Sequence, residues 1–388
     1  MNNDVLLVVP SYTSYEMFLG GLPARAAASG LRVHLAAGPA IHDCRAESDR
    51  SLAGSVALPC IRGGDRIAAV RAVLALRRLV VSLRPRIIHA HFAAAAVITA
   101  ATRYLAPRFN TTWMATFHGL SAGAPAGDAT RVARWEAWAA RRFDSAYVIN
   151  VEDVALLRRL APRTNVRLNA SVTLGIDLDH FAPGRFDTAA REDIRRRLGI
   201  PRNAPVVTFV GRQVAFKGFG TAVRAFWRIR ELVPDSILLL VGDYDAIHPS
   251  GLEPTEIQRL RDDATIIACG WQPDVSGHLA VSDAFLFPSQ REGMPVCLME
   301  ALSMGVPCVT SDARGCRDLV RDGIDGRVIA DQRPSAYAEA TSQILLDPQL
   351  RASMRTFALE GRSRFDRRTF LDEQVRQYLD VINSSTKP

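Results

Sequence analysis

Lysine is almost missing from this chain: of 48 Lys and Arg residues, only Lys217 and Lys387 are lysine. No run of basic residues and no recognised nucleic-acid module accompanies the net charge of +8, so nucleic acid is a poor partner. An anionic membrane surface or a phosphorylated lipid suits the charge better. The six cysteines, at positions 44, 60, 269, 297, 308 and 316, are scattered without Cys-x-x-Cys spacing, which argues against both a zinc site and a disulfide framework. No apolar run approaches the ~20 residues of a membrane span. The opening Met-Asn-Asn-Asp lacks the basic segment of a signal peptide. These absences lead us to expect a cytoplasmic protein.

What is present is a folding composition, with 48% hydrophobic and 23% charged residues over 388 positions, long for one core and comfortable for two. In the N-terminal half, strands are expected at Val5–Pro10, Arg32–Ala37, Val56–Cys60, Arg86–His91, Thr112–Phe117 and Ala146–Asn150, with helices around 16–29, 66–84, 92–105, 128–142 and 151–160. A second series has strands at Val206–Val210, Ile237–Gly242, Thr265–Cys269, Ala284–Pro288, Cys308–Thr310 and Gly326–Ala330. Its helices cover about 218–232, 253–262, 274–281, 296–304 and 334–346, and further helical stretches follow at 348–364 and 367–383. Short apolar strands alternating with helices indicate parallel sheets buried on both faces, hence two doubly wound α/β domains. The polar Pro/Gly stretch near 175–185 separates them.

The most informative stretch runs from Phe287 to Thr310. A buried strand ends at Phe287, a Gly293-Met294-Pro295 turn follows, and Val296 opens a helix, with Pro295 expected in its first turn. Strand, turn and helix N-terminus leave backbone N–H groups and a positive dipole end for phosphate or sugar oxygens. Glu292 and Glu300 bracket this cradle. A carboxylate repels phosphate but accepts bidentately from vicinal hydroxyls, as in a ribose or hexose, so the stretch reads as a nucleotide-sugar cradle.

Glu292 and Glu300 with the Gly-Met-Pro turn resemble the signature of the retaining glycosyltransferases of family 4. The resemblance extends to Gly211-Arg-Gln-Val-Ala-Phe-Lys-Gly218, Gly175-Ile-Asp-Leu-Asp-His-Phe181 and Ser311-Asp-Ala-Arg-Gly-Cys316, and is looser in the N-terminal half. It implies the GT-B fold, two Rossmann-like domains facing across a cleft. Residues 1–178 would form the acceptor domain and 179–365 the nucleotide-sugar donor domain. The helix at about 366–388 would pack back on the first domain through Phe370, Leu371 and Tyr378.

Several roles follow. Gly211 lets the chain turn sharply, and Arg212 and Lys217 then stand where doubly wound sheets bind ligands. There they would neutralise a departing diphosphate, as the matching residues do in the family. Gly270 and Trp271 could contact the nucleobase, or Trp271 could cap the core. His118 matches a family histidine that contacts the transferred sugar. His89 and His91 fit a structural role or an acceptor contact. With Glu292 and Glu300 fixing the donor, no side chain stands out as general base; in the family the leaving phosphate is thought to take the acceptor proton.

Two departures matter. Many relatives carry a Gly-Gly pair directly after the first strand; here that position reads Pro10-Ser-Tyr-Thr-Ser-Tyr15, a loop offering hydroxyls, and Gly20-Gly21 come late, inside the expected helix. Asp243-Tyr-Asp245 resembles a metal-binding Asp-x-Asp but is expected to be a turn, so no metal and no other cofactor is called for. Helix 66–84, apolar along one face and charged only by arginine, is either a core-packing helix or one resting on an anionic bilayer. The expected activity is transfer from a nucleotide-sugar, a UDP-sugar, to a glycan or undecaprenyl-diphosphate-linked acceptor on the inner face of the cytoplasmic membrane. The alternatives are a nucleotide-sugar epimerase of the same fold and a catalytically silent nucleotide-sugar-binding or membrane scaffold protein.

Overall fold

The structure, a computed structural model, describes residues 3–40, 49–59, 65–121, 128–169, 174–245 and 248–384. It divides into two compact units, residues 1–174 with 368–388, and residues 175–367. The chain enters the second unit beside where it leaves: Ile176 pairs with Asp366, its N–H donates to the Phe365 carbonyl, and Arg367 N–H donates to the Ile176 carbonyl. This pairing puts the division at 174/175 and 367/368 rather than at 178 and 365. It also gives the Gly175–Phe181 motif a task, since Arg362 donates to the carbonyls of Leu178 and Phe181.

The first unit holds strands β1 (Asp4–Val9), β2 (Arg32–Ala37), β3 (Gly54–Ala57), β4 (Ile87–His91), β5 (Thr112–Phe117), β6 (Ser145–Val148) and β7 (Val166–Leu168). They pair in parallel in the order β3-β2-β1-β4-β5-β6-β7. The second unit holds β8 (Val206–Val210), β9 (Ile237–Val241), β10 (Ile266–Gly270), β11 (Ala284–Phe287), β12 (Cys308–Ser311) and β13 (Gly326–Ile329), ordered β10-β9-β8-β11-β12-β13 and again parallel. Central strands such as Leu6–Val9, Ile237–Val241 and Ala284–Phe287 are buried on both faces, which is why they read as unbroken apolar runs. The edge strands β3, β7 and β10 are largely exposed or half-buried.

Differences from expectation have local causes. The stretch 16–29 is two helices, Tyr12–Leu19 and Leu22–Ala28. Gly21 breaks them at φ 88°, a left-handed conformation that a side chain disfavours. The first helix starts directly after β1, capped by Ser11, whose Oγ accepts from Ser14 N–H at 3.1 Å. Pro10–Tyr15 is therefore a strand end and a helix start, not a loop, and Tyr12, Ser14 and Tyr15 are buried. The strand expected at Val56–Cys60 is Gly54–Ala57, and Cys60 lies outside the described residues. Strand β7, three residues long with two exposed, and helix Thr188–Arg197, with Ile194 its one buried residue, carry too little apolar pattern to be read in sequence.

In the first unit the helix Arg367–Ser384 buries Phe370, Leu371 and Tyr378, and Tyr378 Oη lies 2.8 Å from His89 Nδ1. Helix Arg66–Leu83 buries Ala72, Val73, Leu76 and Val80 and bonds to the end of helix Ala93–Leu105 through Arg77 Nε, which donates to the Leu105 carbonyl at 2.9 Å. It is thus a packing helix along one face. It also leaves Ile67, Val70 and Leu74 exposed, on the same helix as the exposed Arg66, Arg71 and Arg78.

Candidate active site

In the second unit the candidate residues gather at the C-terminal ends of β8, β9, β10 and β11. After β8, Arg212 and Lys217 flank a turn ending in a 3₁₀ segment, Ala215–Lys217. Gly218 closes it at φ 75°; a Cβ there would lie 2.0 Å from the Pro288 carbonyl oxygen, so only glycine lets this turn press against the end of β11. Lys217 is thereby aimed at the neighbouring loop, where its Nζ donates to both oxygens of Glu292 at 2.7 and 2.8 Å. Ser289 Oγ donates to the same carboxylate at 2.7 Å. Both partners are largely shielded from water, Glu292 with 9% of its side chain exposed.

The Glu292 turn is clamped from behind. Glu292 N–H donates to the Arg314 carbonyl at 3.2 Å, and Ser311 Oγ donates to the Ser289 carbonyl. The Ser311–Cys316 motif is thus the bracket that fixes the 289–293 turn. Helix Val296–Ser303 follows with Pro295 at its N-cap, one position earlier than expected, and no side chain caps it. Leu298 N–H bonds to the Pro295 carbonyl at 3.2 Å, and the uncapped first turn is the kind of helix start that suits anionic oxygens. Gly293 is half-buried and Met294 buried, so this turn contributes backbone and shape rather than polar side chains.

Glu300 sits one turn into the helix. Burial pushes its carboxyl up to about 7; Arg367 opposes that shift and Asp274 reinforces it. A carboxyl balanced at neutrality gains its charge when hydroxyl donors arrive.

The Asp-x-Asp carboxylates are occupied by protein donors. Asp243 Oδ1 accepts from Trp271 N–H at 2.8 Å. Asp245 accepts from Arg212 Nη1 at 2.6 Å and lies 3.1 Å from His248 Nδ1. Trp271 has 40% of its surface exposed beside Gly270, which excludes the core-capping reading. Sequence reasoning missed Ser289, which seats Glu292. It also missed Arg291, whose guanidinium lies 5.1 Å from the Phe216 ring, with Arg212 at 5.4 Å from the same ring. Nothing in the sequence spacing links Phe216 to Arg291.

In the first unit, His118 follows β5. Its loop is held by two buried carboxylates: Leu120 N–H donates to Asp153 at 3.1 Å, and Ser121 N–H donates to both Glu136 oxygens at 3.1 and 3.0 Å. His118 Nε2 lies 3.1 Å from His91 Nδ1, and its ring stacks on Phe92 with centroids 4.0 Å apart. Its Nδ1 has no partner. Burial lowers His118 to about 3 and His91 well below the usual range, so both rings stay neutral. Phe92 sits at φ 72°, ψ 154°, a region that costs a non-glycine residue about 1–3 kcal/mol. His89 instead bonds to Tyr378 Oη and Thr116 Oγ1, each at 2.8 Å, which is a structural role.

Residues 190–360 match the family described as "Glycosyl transferases group 1". The chain is 32% identical over 179 residues to the UDP-Gal:alpha-D-GlcNAc-diphosphoundecaprenol alpha-1,3-galactosyltransferase of Escherichia coli, covering 45% of each chain. It is 34% identical over 221 residues to the D-inositol 3-phosphate glycosyltransferase of Acidothermus cellulolyticus, covering 54% of this chain and 47% of the other. The chain therefore spans about half the length of the curated relatives it matches. Among solved structures it is similar to Anabaena HepE in complex with UDP and glucose, with a TM-score of 0.76 at 18% identity over 98% of this chain and all of the other. The fold is thus that of the GT-B glycosyltransferases: two doubly wound Rossmann-like units.

Proposed function

We propose that this protein is a retaining glycosyltransferase that moves a sugar from a UDP-sugar to a lipid-linked or polysaccharide-precursor acceptor. The observation that carries the reading is the bracketed clamp of Lys217 on Glu292 beside the uncapped helix that bears Glu300. A cation, two carboxylates suited to sugar hydroxyls and an uncapped helix start at one sheet edge support it. On this reading, Arg212 and Lys217 stabilise charge developing on the departing diphosphate as the oxocarbenium-like transition state forms. Glu300 holds the ribose, Glu292 a sugar hydroxyl, and the base lies by Gly270 and Trp271. The free Nδ1 of the neutral His118 suits a hydrogen bond with a sugar hydroxyl.

Arg212 and Lys217 supply the positive charge that a metal supplies elsewhere, while Asp243 and Asp245 bond to Trp271, Arg212 and His248. Turnover is therefore expected to persist in excess EDTA. The match to a diphosphoundecaprenol-dependent galactosyltransferase supports a lipid-linked acceptor. The exposed Ile67, Val70 and Leu74 between arginines suit the surface of an anionic bilayer, consistent with a peripheral place on the inner face of the membrane.

The test is a UDP-sugar panel with an undecaprenyl-diphosphate-linked acceptor, with and without EDTA, the product's anomeric configuration being read by NMR. An α-linked product from an α-linked donor supports the proposal. Conversion of the donor's sugar without any acceptor would instead show an epimerase. Binding without turnover across the panel would show a silent nucleotide-sugar-binding protein.

A further inference from the structure

The second unit has a cavity of about 390 Å³ at the opposite edge of its sheet from the cradle, where β11 and β12 begin. Four arginines line it, Arg191 and Arg195 from helix Thr188–Arg197 and Arg351 and Arg355 from helix Pro348–Glu360, with Asp283 the one carboxylate among the lining residues.

Most of these guanidiniums are anchored without being neutralised. Arg191 donates to the carbonyls of Phe186 at 3.0 Å, Ala280 at 2.8 Å and Pro183 at 3.3 Å. Arg195 donates through Nη2 to Pro201 and Ala204 at 2.7 and 2.6 Å, while its buried Nε has no partner. Arg351 donates to the Leu345 carbonyl at 2.9 Å and forms a long ion pair with Asp283, Nε to Oδ1 at 3.7 Å. Asp283 spends its other oxygen on Val206 N–H at 2.9 Å.

Arg355 differs. Among the described residues its side chain makes no hydrogen bond and no ion pair, and Asp283 attracts it only from a distance while Arg191 repels it. Half-burying a cation beside like charges, with a single carboxylate to answer them, is unfavourable for folding. Pre-oriented planar forks around a concave space of this size suit the oxygens of a phosphate group.

We infer that this cavity is a second anion site, one that takes the phosphate or diphosphate group of a small molecule or of a lipid headgroup and is separate from the donor cradle. The carbonyl bonds of Arg191, Arg195 and Arg351 set the geometry, and Arg355 supplies the uncommitted donors.

Isothermal titration of the full chain with inorganic pyrophosphate tests this, using the parent, Arg355→Gln and Lys217→Met. The parent is expected to bind at two sites. Lys217→Met should weaken the cradle and spare the cavity. Arg355→Gln should weaken the cavity site at least tenfold, spare the cradle and melt no lower than the parent, since no hydrogen bond or ion pair of its guanidinium is lost and Gln keeps most of the stem. A parallel sedimentation with phosphatidylglycerol vesicles separates the sources: vesicle binding lost in Arg355→Gln assigns a lipid headgroup, and pyrophosphate binding lost without it assigns a free anion. Titrations of Arg355→Gln that match the parent in stoichiometry and affinity, together with unchanged vesicle binding, overturn the inference. So does a lower melting temperature, which would make Arg355 structural.

Discussion

In the first unit His118 is stacked on Phe92, bonded to His91 and kept neutral by burial, whereas in the second Lys217 and Arg212 each rest on a carboxylate. The two sheets share parallel topology, yet one edge offers uncharged hydrogen-bonding rings and the other holds compensated charge. The difference teaches a division of labour. A neutral ring can position a sugar hydroxyl without attracting phosphate, and ion pairs can exchange a carboxylate for a diphosphate without leaving a bare cation in the meantime.

The largest effect should come from breaking the charged side. Lys217→Met removes the clamp and strands the nearly buried Glu292, so about 3 kcal/mol of stability and about 10²–10³-fold in kcat should be lost. The double variant Lys217→Met/Glu292→Leu should recover most of the stability, measured by denaturant unfolding, and none of the activity. Recovery of both would make the pair structural and empty the charged half of the comparison.

Next comes Glu300. A carboxyl raised to about 7 is mostly neutral at pH 6 and mostly ionised at pH 8. If the ionised form accepts the ribose hydroxyls, UDP affinity rises as pH increases through about 7. Because the shift is upward from 4.5 to about 7, the stability tied to Glu300 is full below about pH 4.5, falls as pH rises towards about 7 and stays at its lower level above that. Glu300→Gln should bind UDP about 10–100-fold more weakly, a loss of about 1.5–3 kcal/mol, and should flatten the pH dependence seen by calorimetry. A parent affinity independent of pH between 6 and 8 would remove the ribose assignment.

On the neutral side His91→Phe keeps the ring and deletes the Nδ1 that fixes the His118 tautomer. One neutral hydrogen bond is worth about 1 kcal/mol, so kcat should fall only about fivefold with UDP affinity unchanged. No change in kcat would show that His118 needs no partner. The last effect concerns the surface of the first unit and touches vesicle binding alone, not turnover of donor. Arg71→Gln/Arg78→Gln should lower sedimentation with anionic vesicles by about 1 kcal/mol per arginine, and added salt should do the same to the parent; vesicle binding equal to the parent's would leave that helix face without a membrane role.

The sequence by itself determined the two sheets, because buried parallel strands must be short apolar runs. It also determined the cradle, because its strand, Gly-Met-Pro turn, helix and two carboxylates lie in one local stretch. It misjudged Pro10–Leu19 and the Gly20–Gly21 break, where Ser11 capping and a left-handed glycine outweighed hydrophobic pattern. Only the tertiary structure decided that Lys217 faces Glu292, that Ser311–Cys316 braces the turn from behind, that His91 meets His118, and that four arginines from two helices share one cavity. These pairings join residues from separate strands and helices, and no periodicity within one element encodes which neighbour a side chain meets across the packing of another.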